Sequence, residues 1–126
     1  MMDCIIVDDD VLMRMELQQM VKKVPFLHLV GTSKTTTEAF QLITFYQPDL
    51  VFLDVVMPEV NGIELMESFR HHMPQIILMS INKEYAVEAF NYNATDFLAK
   101  PFSEERFLQA VAKAKLLYEN KYKPSV

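Results

Sequence analysis

Residues 50–54 read Leu50-Val51-Phe52-Leu53-Asp54, four consecutive apolar residues followed by a carboxylate. A run that is apolar at successive positions, rather than at alternate ones, is typical of a strand buried on both faces of a parallel sheet. Four further short apolar runs have the same character, at residues 4–7, 27–30, 76–79 and 97–99. The sequence therefore predicts five short strands of a buried parallel sheet.

The segments between these runs carry apolar residues at the spacing of an amphipathic helix. Thr35 followed by Glu38 predicts a capping box at a helix start, and Asn61-Gly62 predicts a turn before the third helix. Residues 84–90 predict a shorter fourth helix. The three clearest stripes are Leu17, Met20, Val21 and Val24; Ala39, Leu42, Ile43 and Tyr46; and Phe107, Val111, Ala114 and Tyr118.

Strand and helix patterns alternate five times along the chain. Pro25, Pro48 and Pro74 each fall between a helical stripe and the next strand, where a helix must end. Five such units in 126 residues predict an α/β fold, a flavodoxin-like (βα)5 doubly wound parallel sheet with strand order 2-1-3-4-5. We expect one domain over residues 1–121, with residues 122–126 as a tail or the start of a linker.

The composition indicates a folded, mildly acidic protein. Hydrophobic residues make up 51% and the formal net charge is −5, which disfavours direct nucleic-acid binding because phosphate contacts need clustered Lys and Arg. The single cysteine, Cys4, falls in an apolar run, so we expect a buried thiol and a reducing compartment. The sequence shows no signal peptide or membrane span, and we expect a cytoplasmic location.

Carboxylates, a hydroxyl and an ammonium follow four of the predicted strands. In an open α/β sheet, sites form beyond the carboxyl ends of the strands, and these four strands are neighbours in the expected order. Clustered carboxylates need a hard cation, for which Mg²⁺ is the usual choice, and an aspartate among them is a candidate nucleophile for an aspartyl phosphate. The set is Asp8, Asp9 and Asp10 after the first strand, Asp54 after the third, Ser80 after the fourth and Lys100 after the fifth.

Taken one at a time, these residues have purely structural explanations. An aspartate after a strand is commonly a helix N-cap, which is what we expect of Asp10. Ser80 alone predicts a turn residue, and Lys100 alone predicts a solvated surface lysine. Their joint position at the ends of neighbouring strands is what favours a phosphoryl-transfer site.

The same residues form an ordered set of motifs that resembles a response-regulator receiver domain over almost the whole chain. The motifs are Ile5-Ile6-Val7-Asp8-Asp9-Asp10, Asp54-Val55-Val56-Met57-Pro58 with Asn61-Gly62, Ser80, and Lys100-Pro101-Phe102. Residues 85–90 and 96–103 are similar to receivers of the LytR/AlgR type, which precede a mostly β, LytTR-type DNA-binding domain. The resemblance implies a phosphoprotein of a two-component system that accepts a phosphoryl group from a sensor histidine kinase and is not a turnover enzyme. DNA binding and transcription regulation would come only through an output domain that these residues do not include.

The resemblance also implies which acidic residue accepts the phosphoryl group and which residues bind the metal ion. Asp54 would be the phosphoacceptor. Mg²⁺, or Mn²⁺ in its place, would be bound by Asp9, Asp54 and the backbone carbonyl of Val56, with Asp8 acting through water.

A switch is implied on the other side of the pocket. Lys100 and Ser80 would contact the phosphoryl group, and Ser80 with Phe97 would form the switch. Their movement would reshape the face made by the fourth helix, fifth strand and fifth helix, which is also the expected homodimer surface. The aromatic residues considered for that face are Phe90, Tyr92 and Phe107, of which Phe107 is favoured for the core by its helical stripe.

Three positions depart from the usual family pattern. Ile81, after the switch hydroxyl, is normally a small residue, and its side chain would narrow access to Asp54. Val56 is apolar and offers no group to orient a hydrolytic water, so we predict slow self-dephosphorylation. Phe97 keeps an aromatic ring but lacks the hydroxyl of a tyrosine.

Two other functions remain open from the residues. A phosphatase of the haloacid-dehalogenase type also uses an aspartyl phosphate, and Asp8-x-Asp10 imitates its motif. However, Leu12 stands where that motif has Thr or Val, and no acidic pair follows a strand after Lys100. The second alternative is a binding module, either flavodoxin-like or a receiver that is never phosphorylated. Three successive aspartates would repel a flavin phosphate, and every acidic, hydroxyl and lysine position of a receiver is present.

Overall fold

A computed structural model describes residues 1–58, 60–69 and 73–121, and strands alternate with helices throughout. The strands are β1 (Met2–Val7), β2 (Leu27–Ser33), β3 (Leu50–Asp54), β4 (Gln75–Ser80) and β5 (Asp96–Ala99). The helices are α1 (Val11–Lys22), α2 (Thr36–Tyr46), α3 (Gly62–Ser68), α4 (Tyr85–Asn91) and α5 (Glu104–Lys121). The predicted alternation is confirmed, whereas the predicted tail at 122–126 lies outside the described residues.

All neighbouring strands are parallel, and their order is β2-β1-β3-β4-β5, which confirms the flavodoxin-like arrangement. The order reverses at β1, because the chain first moves outward to β2 and then crosses to β3 on the other side. Ligands bind at this kind of reversal, in the crevice beyond the carboxyl ends of the strands. Val7 pairs with Leu53 and Asp54 pairs with Met79, so the strand ends line up along one edge.

Alternate side chains of the central strands enter two apolar layers, one on each face of the sheet. One layer packs β1, β3 and β4 against α1 and α5, and the other packs them against α2, α3 and α4. In the first layer, Phe52 stacks on Phe107 with ring centroids 5.6 Å apart, and both side chains are fully buried. Phe107 is therefore a core residue, as its helical stripe predicted, whereas Phe90 of α4 is 82% exposed.

Burial on both faces holds for the central strands but not for the edges of the sheet. β1, β3 and β4 are almost completely buried, whereas β2 and β5 are half-buried over most of their lengths. β2 also extends three residues beyond the predicted apolar run, because residues 31–33 pair with residues 5–7 of β1. Across the described ranges of the chain, none of the helices has the length and apolar character needed to cross a membrane.

The predicted helix starts are confirmed by hydrogen bonds. The Asp10 side chain caps α1, accepting from the backbone N–H groups of Leu12 at 2.9 Å and Met13 at 3.3 Å. The Thr35 hydroxyl oxygen caps α2, accepting from the N–H of Glu38 at 3.1 Å. Because its carboxylate is committed to α1, Asp10 has the structural role expected of it.

Candidate functional site

Three aspartates meet where the strand order reverses. Asp8 directly follows β1, and Asp54 is the last residue of β3. One carboxylate oxygen from each of Asp8, Asp9 and Asp54 lies within 4.8 Å of the other two. Asp8 and Asp54 are buried and Asp9 is exposed, so the cluster forms a pocket that is open to solvent on one side.

The Asp8 residue is held at every polar atom that it offers. Its N–H donates to the carbonyl of Ser33 at 3.0 Å. One carboxylate oxygen accepts from the N–H of Asp10 at 2.9 Å, and the other accepts from the Lys100 ammonium at 2.7 Å. Its carbonyl oxygen accepts from the Arg14 guanidinium at 2.6 Å. This residue is therefore a fixed part of the pocket wall.

Lys100 brings the end of β5 into the same pocket. Its Nζ lies 2.7 Å from Asp8 Oδ2 and 3.3 Å from Asp54 Oδ2, and its side chain is 13% exposed. Its backbone N–H donates to the carbonyl of Ser80 at 2.9 Å, which fixes the end of β5 against the end of β4. Burial opposes protonation of the ammonium, but the hydrogen bond to Asp8 and the charge of Asp54 outweigh it, so the pKa of Lys100 is raised.

The carboxyl group of Asp54 is electrostatically unusual. Its pKa is raised to about 6, first by burial and then by the charge of Asp8, while the charge and hydrogen bond of Lys100 act in the opposite direction. The group is nevertheless ionised at neutral pH, and its side chain is 9% exposed. A carboxylate that is ionised but poorly solvated is well suited to act as a nucleophile.

Ser80 and Phe97 lie on the β4 and β5 side of the pocket. Ser80 ends β4 one residue beyond the partner of Asp54, and its buried hydroxyl oxygen accepts from the N–H of Asn82 at 3.1 Å. Phe97 pairs with Leu78 of β4, and its half-buried ring packs on the layer covered by α2, α3 and α4. Each of the predicted switch residues is therefore on a strand that borders the pocket.

The loop after β3 folds back against the pocket at Gly62. The N–H of Gly62 donates to the carbonyl of Val55 at 2.8 Å, and a Cβ at this position would lie 2.7 Å from the Asp54 carbonyl oxygen. The N–H of Val56 is directed at Asp54 Oδ1 at 3.4 Å, and its side chain is exposed. Sequence reasoning identified Gly62 only as a turn residue, although the close approach of two backbone segments is what requires glycine there.

The sequence reasoning also missed Arg14, which supports the pocket from outside through the backbone of Asp8. It lies on α1, whereas the residues predicted for the site all follow strand ends. Its single signal is its position one helical turn after the three aspartates, where an arginine can reach back to their backbone.

Comparison with known proteins agrees with this geometry. The sequence model of the response regulator receiver domain matches residues 4–112. The sensory transduction protein LytT of Enterococcus faecalis is 35% identical over 115 residues, which are 90% of this chain and 48% of that protein. The transcriptional regulatory protein LytR of Staphylococcus aureus is 34% identical over 116 residues, covering 90% of this chain and 47% of that protein. The chain spans about half the length of these curated relatives.

Solved structures share the fold closely. The response regulatory domain of protein mrkE from Klebsiella pneumoniae has a TM-score of 0.88 at 29% identity, covering 94% of this chain and 99% of that one. The REC domain of AraT from Geobacillus stearothermophilus has a TM-score of 0.85 at 25% identity, covering 97% and 98%. The family match includes the strands and loops that build the acidic pocket. The chain therefore belongs to the response regulator receiver domains of two-component signalling, and it is similar to those of the LytT and LytR regulators.

Proposed function

We propose that Asp54 is the phosphoacceptor and that a sensor histidine kinase is the donor. In the transfer, a carboxylate oxygen of Asp54 attacks the phosphorus of a phosphohistidine, the P–N bond breaks, and the released imidazole takes up a proton. The observation that carries the proposal is a buried carboxylate at the end of β3, with a lysine ammonium at 3.3 Å and two further carboxylates beside it.

The contacts of the three aspartates favour Asp54 over the other two. Both carboxylate oxygens of Asp8 accept hydrogen bonds, from Lys100 and from the N–H of Asp10. Asp9 is exposed and lies at the rim. Asp54 combines burial with a strand-end position, and its contact with the Lys100 ammonium is the longer of the two, at 3.3 Å against 2.7 Å for Asp8.

The oxygen-only donor set fits Mg²⁺, with Mn²⁺ as an alternative. We assign Asp9, Asp54 and the backbone carbonyl of Val56 as direct ligands, with Asp8 acting through water. The two hydrogen bonds that Asp8 already accepts support its indirect role. When bound, the cation would neutralise negative charge on the phosphoryl group that is transferred.

A switch of the face formed by α4, β5 and α5 is the proposed output of phosphorylation. Ser80 would turn its hydroxyl to a phosphoryl oxygen, and Phe97 would move inward into the space that Ser80 leaves. Arg106 of α5 donates to both oxygens of Asp96 at 2.7 and 2.9 Å and to the Phe97 carbonyl at 3.1 Å. Movement of Phe97 would therefore shift the hydrogen bonds of Arg106 and displace α5. Hydrogen exchange of α4 and α5, compared with and without the phosphoryl group, tests this step, and identical exchange would refute it.

Several properties of the whole protein belong to the same proposal. Residues 1–121 would form one domain, with 122–126 as a tail or the start of a linker to an output domain that controls transcription by binding DNA. The face of α4, β5 and α5 would serve as the homodimer surface. The buried, unpaired thiol of Cys4 and the two-component family membership support a cytoplasmic location.

A long-lived phosphorylated form is also proposed. Val56, two residues after Asp54, has an apolar side chain that is 58% exposed, and Ile81, directly after Ser80, is 81% exposed and would narrow access to Asp54 and slow phosphoryl entry. Neither side chain can hydrogen-bond a hydrolytic water. Val56→Asn should shorten the lifetime of the phosphorylated form, and a parental lifetime of only seconds would contradict the proposal.

The deciding experiment is intact-mass measurement after incubation with acetyl phosphate and Mg²⁺. The parent should gain one phosphoryl group that is released by hydroxylamine, as an acyl phosphate requires. Asp54→Asn should gain none. Asp49→Asn is the matched control, because Asp49 lies at the opposite end of β3 and should leave the gain unchanged. Phosphorylation of the Asp54→Asn variant at the parental level would refute the assignment.

A phosphatase of the haloacid-dehalogenase type is the second candidate, and the structure bears against it. That function needs the Asp10 carboxylate in the pocket, but the carboxylate caps α1 instead. The acidic cluster consists of Asp8, Asp9 and Asp54. Sustained hydrolysis of p-nitrophenyl phosphate would favour the phosphatase, whereas a receiver should show no turnover.

A further inference from the structure

Arg14 contacts the backbone of the loop that carries Asp8 and Asp9. It lies in the first turns of α1, and its Nη1 donates to the carbonyl oxygen of Asp8 at 2.6 Å. The bond spans six residues and joins the helix to the last residue before Asp9. Within the ranges 1–58, 60–69 and 73–121, the salt bridges place no carboxylate on the Arg14 guanidinium.

That carbonyl belongs to the peptide unit that joins Asp8 to Asp9. Because a peptide unit is planar, fixing its oxygen also fixes the position of the Asp9 Cα, from which the side chain leaves the loop. Asp8 is held by the other bonds described above, whereas Asp9 is exposed and adjoins the peptide unit that Arg14 fixes. A bond from a charged donor is stronger than one between neutral groups, so Arg14 is an effective anchor.

We infer that Arg14 is a positioning residue that orients the Asp9 carboxylate for a divalent cation. The inference rests on the proposed function, in which Asp9 is a direct ligand. Arg14 would touch neither the cation nor the phosphoryl group. It acts through the Asp8–Asp9 peptide, as residues behind metal ligands commonly do.

A purely electrostatic role for Arg14 predicts the opposite sign. A guanidinium close to the pocket repels a divalent cation, so removing it would tighten cation binding if charge alone mattered. If orientation of Asp9 dominates, removing the guanidinium weakens binding. The direction of the change therefore separates the two roles without any assumption about its size.

The test measures Mg²⁺ affinity by titration calorimetry on the unphosphorylated chain. Arg14→Met should weaken binding about tenfold, the lower end of the usual effect for residues behind a ligand. Arg14→Lys, which keeps a charged donor, should recover most of the affinity. Lys22→Met is the matched control, since it removes a cation from the exposed far end of the same helix and should change little. At saturating Mg²⁺, the phosphorylation rate of Arg14→Met should return to within about twofold of the parent, because orientation is then enforced by the ion.

Each alternative outcome has a definite meaning. Unchanged or tighter Mg²⁺ binding by Arg14→Met overturns the positioning role while leaving a phosphorylated parent, and so the proposed function, intact. A parent that binds no Mg²⁺ overturns both. Far-UV circular dichroism establishes that each variant is folded, and Arg14→Gln replaces Arg14→Met in the titration if the latter is not. Because Gln is also uncharged, weaker binding again supports positioning and tighter binding refutes it.

Discussion

Replacing Asp54 by asparagine should stabilise the metal-free protein at neutral pH. Raising a carboxyl pKa from 3.8 to about 6 costs the folded, ionised state about 3 kcal/mol, since each pKa unit corresponds to about 1.4 kcal/mol. The pKa of about 6 already includes the favourable contact with Lys100 at 3.3 Å, so asparagine should recover about 2–3 kcal/mol. That gain should raise the melting temperature by roughly 6–15 °C in a domain of this size.

The pH dependence identifies the cause of the gain. Because the folded-state pKa of Asp54 is raised, the stability associated with its protonated form is fully present below pH 3.8 and is lost as the pH rises through about 6. The parent and Asp54→Asn should thus be nearly equal in stability near pH 4 and should diverge up to about pH 7. Urea unfolding followed by circular dichroism, with a chelator present, gives the difference at each pH.

A matched variant and a metal titration complete this test. Asp10→Asn also replaces a carboxyl by an amide, but at a helix N-cap where asparagine is equally good, so its stability should differ little from the parent. Adding Mg²⁺ should stabilise the parent and not Asp54→Asn, which reverses their order. A difference between parent and Asp54→Asn that is the same from pH 4 to pH 7.5 would refute the reasoning.

Three further substitutions test the pocket and the core. Lys100→Met leaves two buried carboxylates without their cation, so it should destabilise the metal-free protein by about 2 kcal/mol at pH 7 and by less at pH 5; equal losses at both pH values would contradict this. Gly62→Ala places a methyl group against the neighbouring backbone and should cost about 1–3 kcal/mol in urea unfolding, whereas Gly31→Ala meets only a flexible leucine side chain and should cost less. Phe107→Ala should cost about 3–5 kcal/mol, and Phe90→Ala, at an exposed aromatic, less than about 0.5 kcal/mol by the same measurement.

The fold could be predicted from the sequence because the apolar runs of the central strands are compatible with few other structures. Residues 50–53 are apolar at every position, and only a strand covered on both faces buries them all. The same logic failed at the edges of the sheet. Residues 31–33 of β2 are a glycine and two hydroxyl residues, yet they pair with β1, because backbone pairing at an edge needs no apolar side chains.

The candidate site was predictable to the extent that it follows from strand ends. Asp8, Asp54 and Lys100 meet because parallel strands end at one edge, a consequence of topology that can be seen from order alone. Gly62 and Arg14 were not predictable in this way. Their roles depend on how a loop folds back and how a helix side chain reaches the main chain, and both are tertiary distances without a periodic signal.

The charges of the pocket explain why a single lysine, together with a divalent cation, would be enough to balance the three aspartates. Asp8, Asp9 and Asp54 contribute −3 and Lys100 contributes +1, which leaves −2 in the metal-free pocket at neutral pH. A divalent cation would bring the sum to zero and so permit a negatively charged donor to approach. Phosphorylation replaces one carboxylate charge by about −1.5 to −2, and the new charge lies further out in the pocket. Lys100 is the only part of this set that can follow it, because its flexible stem allows the ammonium to leave the Asp8 and Asp54 oxygens for the phosphoryl group. Under the proposed function, the resting contact between Lys100 and the two aspartates is thus the interaction that phosphoryl transfer would have to break.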